Sequence, residues 1–208
     1  MTNPDYAAVM LLIDRSGSMA SIQRAAEGGV NDFIKGQAAQ PGRRTIRIAK
    51  FDDAYELVQP STSAATSPSF KLEPRGMTAL LDAMGRSINE FGQELAALPE
   101  DERPGVVILA VMTDGHENAS VEYDWPMVRA MVEHQEKAYG WQVLYLGANQ
   151  DAVETGVKLG VQRSRSMTYA ATDHGTRSVT DSLSGYVASA ASGLSASFTD
   201  EDREDAQR

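Results

Sequence analysis

Short apolar runs alternate with amphipathic stretches along this chain of 208 residues. Runs with few polar residues are typical of strands that are covered on both faces of a sheet. Such runs lie at residues 6–13, 105–112, 141–146 and, more briefly, 167–169. Residues 43–51 alternate through Ile46 and Ile48, and residues 55–58 follow closely, so this pair predicts a hairpin with an antiparallel edge strand.

The clearest helical pattern covers residues 78–98, where apolar side chains recur at helical spacing. The apolar positions are Leu81, Met84, Ile88, Phe91, Leu95 and Leu98. Weaker amphipathic patterns predict helices over residues 19–37, 125–139, 151–159 and 179–190. Residues 60–74 are rich in Ser, Thr and Pro and predict an irregular loop.

Strands that alternate with helices predict an α/β sheet. Two of the apolar strands end in an aspartate, Asp14 after the first strand and Asp114 after the fourth. In doubly wound sheets, ligands bind at the carboxyl edge where the strand order reverses. If these two strands are neighbours, both carboxylates face one crevice.

Composition excludes several functional classes. The chain carries 19 Lys and Arg against 29 Asp and Glu, a formal net charge of −10 that argues against nucleic acid or an anionic membrane as the main partner. The absence of cysteine excludes disulfides, zinc–thiolate sites and cysteine nucleophiles. No apolar run approaches the ~20 residues of a membrane span, and the first residues lack a signal peptide's positive cluster, so we expect a cytoplasmic protein.

Oxygen-bearing side chains follow three of the predicted elements. The first strand leads into Asp14, Ser16 and Ser18, the long helix begins near Thr78, and the fourth strand ends at Asp114. Carboxylate and hydroxyl oxygens are hard ligands that suit Mg²⁺ or Mn²⁺ rather than zinc. Only two of these donors are charged, so an ion held there would stay electrophilic and could accept an anionic oxygen from a partner.

The order Asp-x-Ser-x-Ser, then Thr, then Asp resembles the metal-ion-dependent adhesion site (MIDAS) of von Willebrand factor type A domains, in particular the small stand-alone bacterial and phage versions. The resemblance covers residues 4–193. It implies a Rossmann-like, mostly parallel six-stranded sheet of order 3-2-1-4-5-6, with strand 3 antiparallel and helices on both faces. We expect residues 194–208 to form a disordered tail, because 199–208 contain five acids and little to bury.

The resemblance also implies a function. Ser16, Ser18 and Thr78 would contact the metal directly, and Asp14 and Asp114 would bind it directly or through water. One coordination position would stay open for a Glu or Asp of a partner protein. We therefore expect a metal-dependent protein-binding module, not an enzyme, with Mg²⁺ or Mn²⁺ as its ion; the sequence leaves its oligomeric state open.

Two other functional classes remain as alternatives. The first is a hydrolase or phosphoryl-transfer enzyme that uses the same metal, and the second is a scaffold that does not use it. A haloacid-dehalogenase-like site needs a second Asp where Ser16 stands, and the chain has no P-loop. Asp82 is expected to be a satisfied helix residue rather than a ligand. His116, Glu117 and Asn118 either shape the rim of the site or form a solvated loop.

Overall fold

The computed structural model describes residues 2–208 and has one six-stranded sheet with helices on both faces. The strands are β1 (Asn3–Asp14), β2 (Arg43–Phe51), β3 (Tyr55–Ser63), β4 (Pro104–Thr113), β5 (Gln142–Ala148) and β6 (Ser166–Tyr169). The α-helices are α1 (Gln23–Ala38), α2 (Leu80–Ala96), α3 (Trp125–Tyr139), α4 (Ala152–Lys158), α5 (Asp173–Ala191) and α6 (Asp200–Ala206).

The strand order is β3-β2-β1-β4-β5-β6. Every neighbouring pair is parallel except β2 and β3, which form an antiparallel hairpin. This confirms the expected doubly wound, Rossmann-like architecture. The order reverses between β1 and β4, so the crevice at a topological switch point lies where these two strands end.

Alternating side chains of β1 supply both halves of the core, because successive strand residues point to opposite faces of a sheet. Leu11 and Ile13 belong to the cluster formed with α1 and α5, whereas Met10 and Leu12 belong to the cluster formed with α2 and α3. Five positions of the stripe predicted on α2 are buried as expected, at Leu81, Met84, Ile88, Phe91 and Leu95, whereas Leu98 lies beyond the end of the helix and is partly buried. Among residues 2–208, no helix combines the length and the apolar composition that crossing a bilayer requires.

Several element boundaries differ from the prediction, and two of the differences have local reasons. β3 continues to Ser63 and includes Pro60, although the composition of residues 60–74 predicts an irregular loop there. An edge strand tolerates proline because one side of its backbone needs no ladder partner, and the pairing shifts register on both sides of Ile48. At the other boundary, α1 begins only at Gln23, after a 3₁₀ turn over Gly17–Ser21.

The expectation of a disordered tail is wrong. α6 begins with a capping box in which Thr199 and Asp202 each bond the other's backbone N–H. Ala206 is fully buried, and its carbonyl accepts the N–H of Ala170 at 2.7 Å. The Arg203 guanidinium also donates to the backbone carbonyl of Ser166, the first residue of β6, at 2.6 Å. Composition alone missed this helix because a good cap and a few anchoring contacts hold an otherwise charged segment.

Candidate metal centre

Asp14 and Asp114 lie at the carboxyl ends of adjacent strands. Because β1 and β4 pair in parallel up to this edge, the two carboxylates meet at one crevice, as the sequence suggested. Asp14 is fully buried. Its Oδ2 accepts the Thr113 hydroxyl at 2.6 Å, and its Oδ1 accepts the backbone N–H of Ser16 at 2.6 Å. These bonds fix the carboxylate at the base of the site.

The two serines connect the buried carboxylate to the surface. Ser16 is buried and Ser18 is exposed, and their hydroxyl oxygens are 3.1 Å apart. Ser18 Oγ donates to Asp114 Oδ1 at 2.7 Å. These serines lie one residue apart in the loop that follows β1, residues 14–19, which is called the first loop below. Their spacing therefore places both hydroxyls between the two aspartates.

Thr78 reaches the same crevice from the loop that precedes α2. The backbone of this loop is bonded to the first loop, with the Gly17 N–H on the Gly76 carbonyl at 3.2 Å. A Cβ built on Gly115 would lie 2.7 Å from Thr78 Oγ1 and 3.4 Å from Asp14 Oδ2. Both oxygens therefore border the space that glycine leaves open beside Asp114.

The site holds negative charge without a protein cation to balance it. Burial raises the pKa of Asp14 to about 6, against the hydrogen bonds from Thr113 and Ser16 that lower it. Burial also raises the pKa of Asp114, and the bond from Ser18 opposes this shift. Within the described chain, neither aspartate forms an ion pair.

Arg15 could have neutralised the site but is turned away from it. This buried side chain donates from Nε to Asp52 Oδ2 at 2.9 Å and also pairs with Glu56. Asp52, at the end of β2, is buried as well and accepts Arg75 Nε at 2.8 Å. Burial raises the pKa of Asp52, but the bonds from Arg75, the Ala54 N–H and Arg15 outweigh it and hold the pKa below its ordinary value.

Sequence reasoning missed this ionic cluster, which consists of Arg15, Asp52, Glu56 and Arg75. From its position between the two hairpin strands, Asp52 is expected only to turn the chain, and its carboxylate does accept the Ala54 N–H at 2.8 Å. The sequence does contain one sign of this cluster, which is Arg15 in the loop directly after a buried strand. An arginine that becomes buried there requires an acidic partner.

The residues around the centre have structural contacts of their own. Both Asp82 oxygens accept backbone N–H groups of residues 121–123, so this side chain is satisfied, as expected. Glu117 accepts the N–H groups of Leu81 and Ser120 and thereby joins its loop to the start of α2. Asn118 Oδ1 accepts the Thr78 N–H at 2.9 Å. Glu117 and Asn118 therefore hold the loop in place.

The donor set fits a hard divalent cation. It contains two carboxylates and three hydroxyls, and neither the buried Asp14 nor the partly exposed Asp114 has a counter-charge among the described residues. Residues 2–208 contain no group of three or more His, Cys, Asp or Glu side chains placed to hold a metal. A metal at this centre would therefore use hydroxyl as well as carboxylate oxygens, which is compatible with Mg²⁺ or Mn²⁺. The assignment of these five residues as ligands stays a prediction.

Comparison with known proteins finds neither a family model nor a curated protein that matches this chain. Solved structures do match. A von Willebrand factor type A protein from Catenulispora acidiphila gives a TM-score of 0.63 at 12% identity, over 87% of this chain and 42% of that one. The pilus adhesin SpaC from Lactobacillus rhamnosus GG, in its open conformation, gives 0.64 at 13% identity, over 87% and 30%.

A third match is proximal thread matrix protein 1 from the mussel byssus, in a structure described as having a zinc-occupied MIDAS motif. Its TM-score is 0.56 at 16% identity, over 89% of this chain and 45% of that one. The present chain thus spans less than half the length of each of these three proteins. Identities this low establish similarity of fold alone. The chain has a von Willebrand factor type A-like fold.

Proposed function

We propose that this protein is a metal-dependent protein-binding module. Asp14, Ser16, Ser18, Thr78 and Asp114 would hold one Mg²⁺ or Mn²⁺ ion, and the ion would coordinate an acidic residue of a partner protein. The observation that carries this proposal is the meeting of two uncompensated carboxylates and three hydroxyls at one sheet edge. Adhesins and a matrix protein among the structures of similar fold support an interaction role.

An open coordination position on the ion would favour an acidic ligand. A divalent ion bound by two carboxylates leaves the set formally neutral, and the hydroxyls add no charge. Mg²⁺ prefers ~six oxygen ligands, and the five side chains leave room for at least one more. A carboxylate is the protein group that supplies a charged hard oxygen. Its attraction to the ion would act locally, while the net charge of −10 opposes acidic partners at longer range.

The contacts of the acidic residues around the site favour a binding role over hydrolysis. The neighbouring carboxylates of Asp82 and Glu117 are occupied by backbone N–H groups, so neither is free to act as a general base. His116, the histidine nearest in sequence to Asp114, is exposed on the following loop, and within residues 2–208 no carboxylate is hydrogen-bonded to it. We therefore propose a non-enzymatic role.

Calorimetry with separate Mg²⁺, Mn²⁺, Ca²⁺ and Zn²⁺ titrations tests the metal site. We expect Mg²⁺ and Mn²⁺ to bind at one ion per chain, and Asp14→Asn to lose this binding. Asp101→Asn is the matched control, because it removes the same charge from an exposed turn before β4, at the opposite end of the sheet. Equal Mg²⁺ affinity in wild type and Asp14→Asn contradicts the assignment.

Partner binding is tested by immobilising the protein with Mg²⁺ or with EDTA. We expect partners from the host to be retained with the ion and released by EDTA, and Asp14→Asn to retain none of them. Glu→Gln or Asp→Asn exchanges in the contact segment of the partner should then remove binding. A partner that binds with full strength after every such exchange and in EDTA rules out the metal bridge.

A further inference from the structure

Arg75 belongs to the loop that carries Thr78 and lies beside the first loop of the candidate centre. Its backbone N–H donates to the Arg15 carbonyl at 2.7 Å, one residue away from both Asp14 and Ser16. The carbonyl of Gly76, the next residue, accepts the N–H of Gly17 from the first loop at 3.2 Å. These two bonds hold the backbone of Arg75 next to the first loop.

The guanidinium of Arg75 is held on one side only. Its Nε donates to the buried carboxylate of Asp52 at 2.8 Å, while the side chain is 65% exposed. The described structure assigns no hydrogen bond to its two terminal nitrogens. A guanidinium anchored through Nε presents the opposite edge to solvent as a fixed pair of donors, the geometry that binds a carboxylate in bidentate fashion.

Other acidic residues near Arg75 are already engaged. Glu56 pairs with Arg15, and Glu73 pairs with Lys50. Asp53 Oδ1 accepts the N–H of Met77 at 2.7 Å. In residues 2–208, the outer edge of Arg75 thus has no carboxylate partner of its own. Asp52, which holds Arg75, directly follows β2, and β2 pairs in parallel with β1 up to Asp14, so this cation lies at the same edge of the sheet as the candidate centre.

We propose that Arg75 is a second anchor for the partner, and that the recognised segment carries two acidic residues. One carboxylate would reach the metal, and the second would take the outer edge of Arg75. This inference rests on the proposed function and adds to it, because a lone acidic residue satisfies the metal but leaves Arg75 unused. The second contact would select di-acidic segments against the single acids that occur on most protein surfaces.

Capped glycine-rich peptides test this inference in Mg²⁺. One peptide has a single Glu, and a series has a second Glu one, two, three or four positions later, each matched by a version with Gln there. At the best spacing we expect the second Glu to raise affinity about tenfold over its Gln match. In the Arg75→Gln protein, the ratio of the two peptide affinities should fall to one. In the Lys35→Gln protein, it should stay at the wild-type value.

Lys35→Gln is a suitable control because this substitution also removes one positive charge. The Lys35 side chain lies near the end of α1 and forms an exposed ion pair with Asp32. A wild-type protein that binds Mg²⁺ but shows no preference at any spacing overturns the second anchor, as does a preference that survives Arg75→Gln. The proposed function itself is contradicted by a different result. In that result, Mg²⁺ affinity is unchanged by Asp14→Asn, and the single-Glu peptide binds equally well in Mg²⁺ and in EDTA. The two failures are therefore distinguishable.

Discussion

Replacing Asp14 by asparagine should stabilise the protein when no metal is bound. The pKa of this buried carboxyl is raised from 3.8 to about 6. Because each pKa unit corresponds to ~1.4 kcal/mol, holding the carboxylate ionised destabilises the fold by ~3 kcal/mol at neutral pH. An amide removes that charge and keeps an acceptor for the Ser16 N–H. Thr113 Oγ1 also lies 3.2 Å from the Gly115 carbonyl, so its hydroxyl can donate there and accept from the new amide.

The sign of the pH dependence follows from the raised pKa. Between about pH 3.8 and 6 the folded protein binds more protons than the unfolded chain, so wild-type stability falls as the pH rises through this window. The Asp14→Asn protein lacks this dependence. We expect the two to differ little near pH 4 and the variant to exceed wild type by ~2 kcal/mol above pH 6, after allowing ~1 kcal/mol for a weaker hydrogen bond.

Urea unfolding in EDTA at a series of pH values measures this difference, provided that both proteins unfold reversibly in one transition. In a protein of this size, ~2 kcal/mol also corresponds to a rise of ~4–8 °C in Tm. A stability difference that stays constant across the pH series refutes the reasoning. So does a variant that is less stable than wild type at neutral pH.

Added metal should reverse the order of stability. Mg²⁺ at 100 times its dissociation constant stabilises the folded wild type by ~2.7 kcal/mol, and the Asp14→Asn protein should gain none of this. With Mg²⁺, the unfolding free energy of the wild type then equals or exceeds that of the variant at neutral pH. In EDTA the wild type is the less stable of the two. Equal stabilisation of both proteins by Mg²⁺ means that the ion binds elsewhere.

Three further predictions concern the surroundings of the centre. Gly115→Ala should lower Mg²⁺ affinity in calorimetry at least tenfold, because its Cβ would lie 2.7 Å from Thr78 Oγ1; unchanged affinity contradicts this. Asp52→Asn should lower unfolding free energy by ~3 kcal/mol, since it leaves Arg15 buried with a weaker partner; a loss below ~1 kcal/mol shows that Glu56 suffices. Phosphoesters and nucleotides should not turn over with Mg²⁺ or Mn²⁺, and hydrolysis abolished by Asp114→Ala would establish the enzymatic alternative.

Most of the sheet could be predicted from sequence because its central strands are buried on both faces. A parallel central strand such as β1 reads as a continuous apolar run, and the stripe on α2 keeps one face throughout. The position of the two aspartates then followed from the ends of neighbouring strands. Strand order came from the resemblance to a known family, since apolar runs alone do not specify which strands are neighbours.

Features that depend on long-range pairing were not predictable in the same way. Asp52 accepts one local bond typical of a turn, but its partners Arg15 and Arg75 lie 37 and 23 positions away. Nothing local distinguishes such a residue from an ordinary hairpin aspartate. α6 was missed for a related reason, because its stability depends on contacts with the end of β6 as well as on its cap.

The ionic cluster explains why the centre remains charged. Arg15 directly follows Asp14, and a free guanidinium there would neutralise the site and compete with a cation. Asp52 and Glu56 bind this guanidinium on the β2 side. The metal-free protein consequently keeps a buried carboxylate whose pKa is raised to about 6, a destabilisation that a divalent ion would relieve. Residues that would not touch the ion would thus make the centre receptive to it, and the same Asp52 also holds Arg75 at this edge of the sheet.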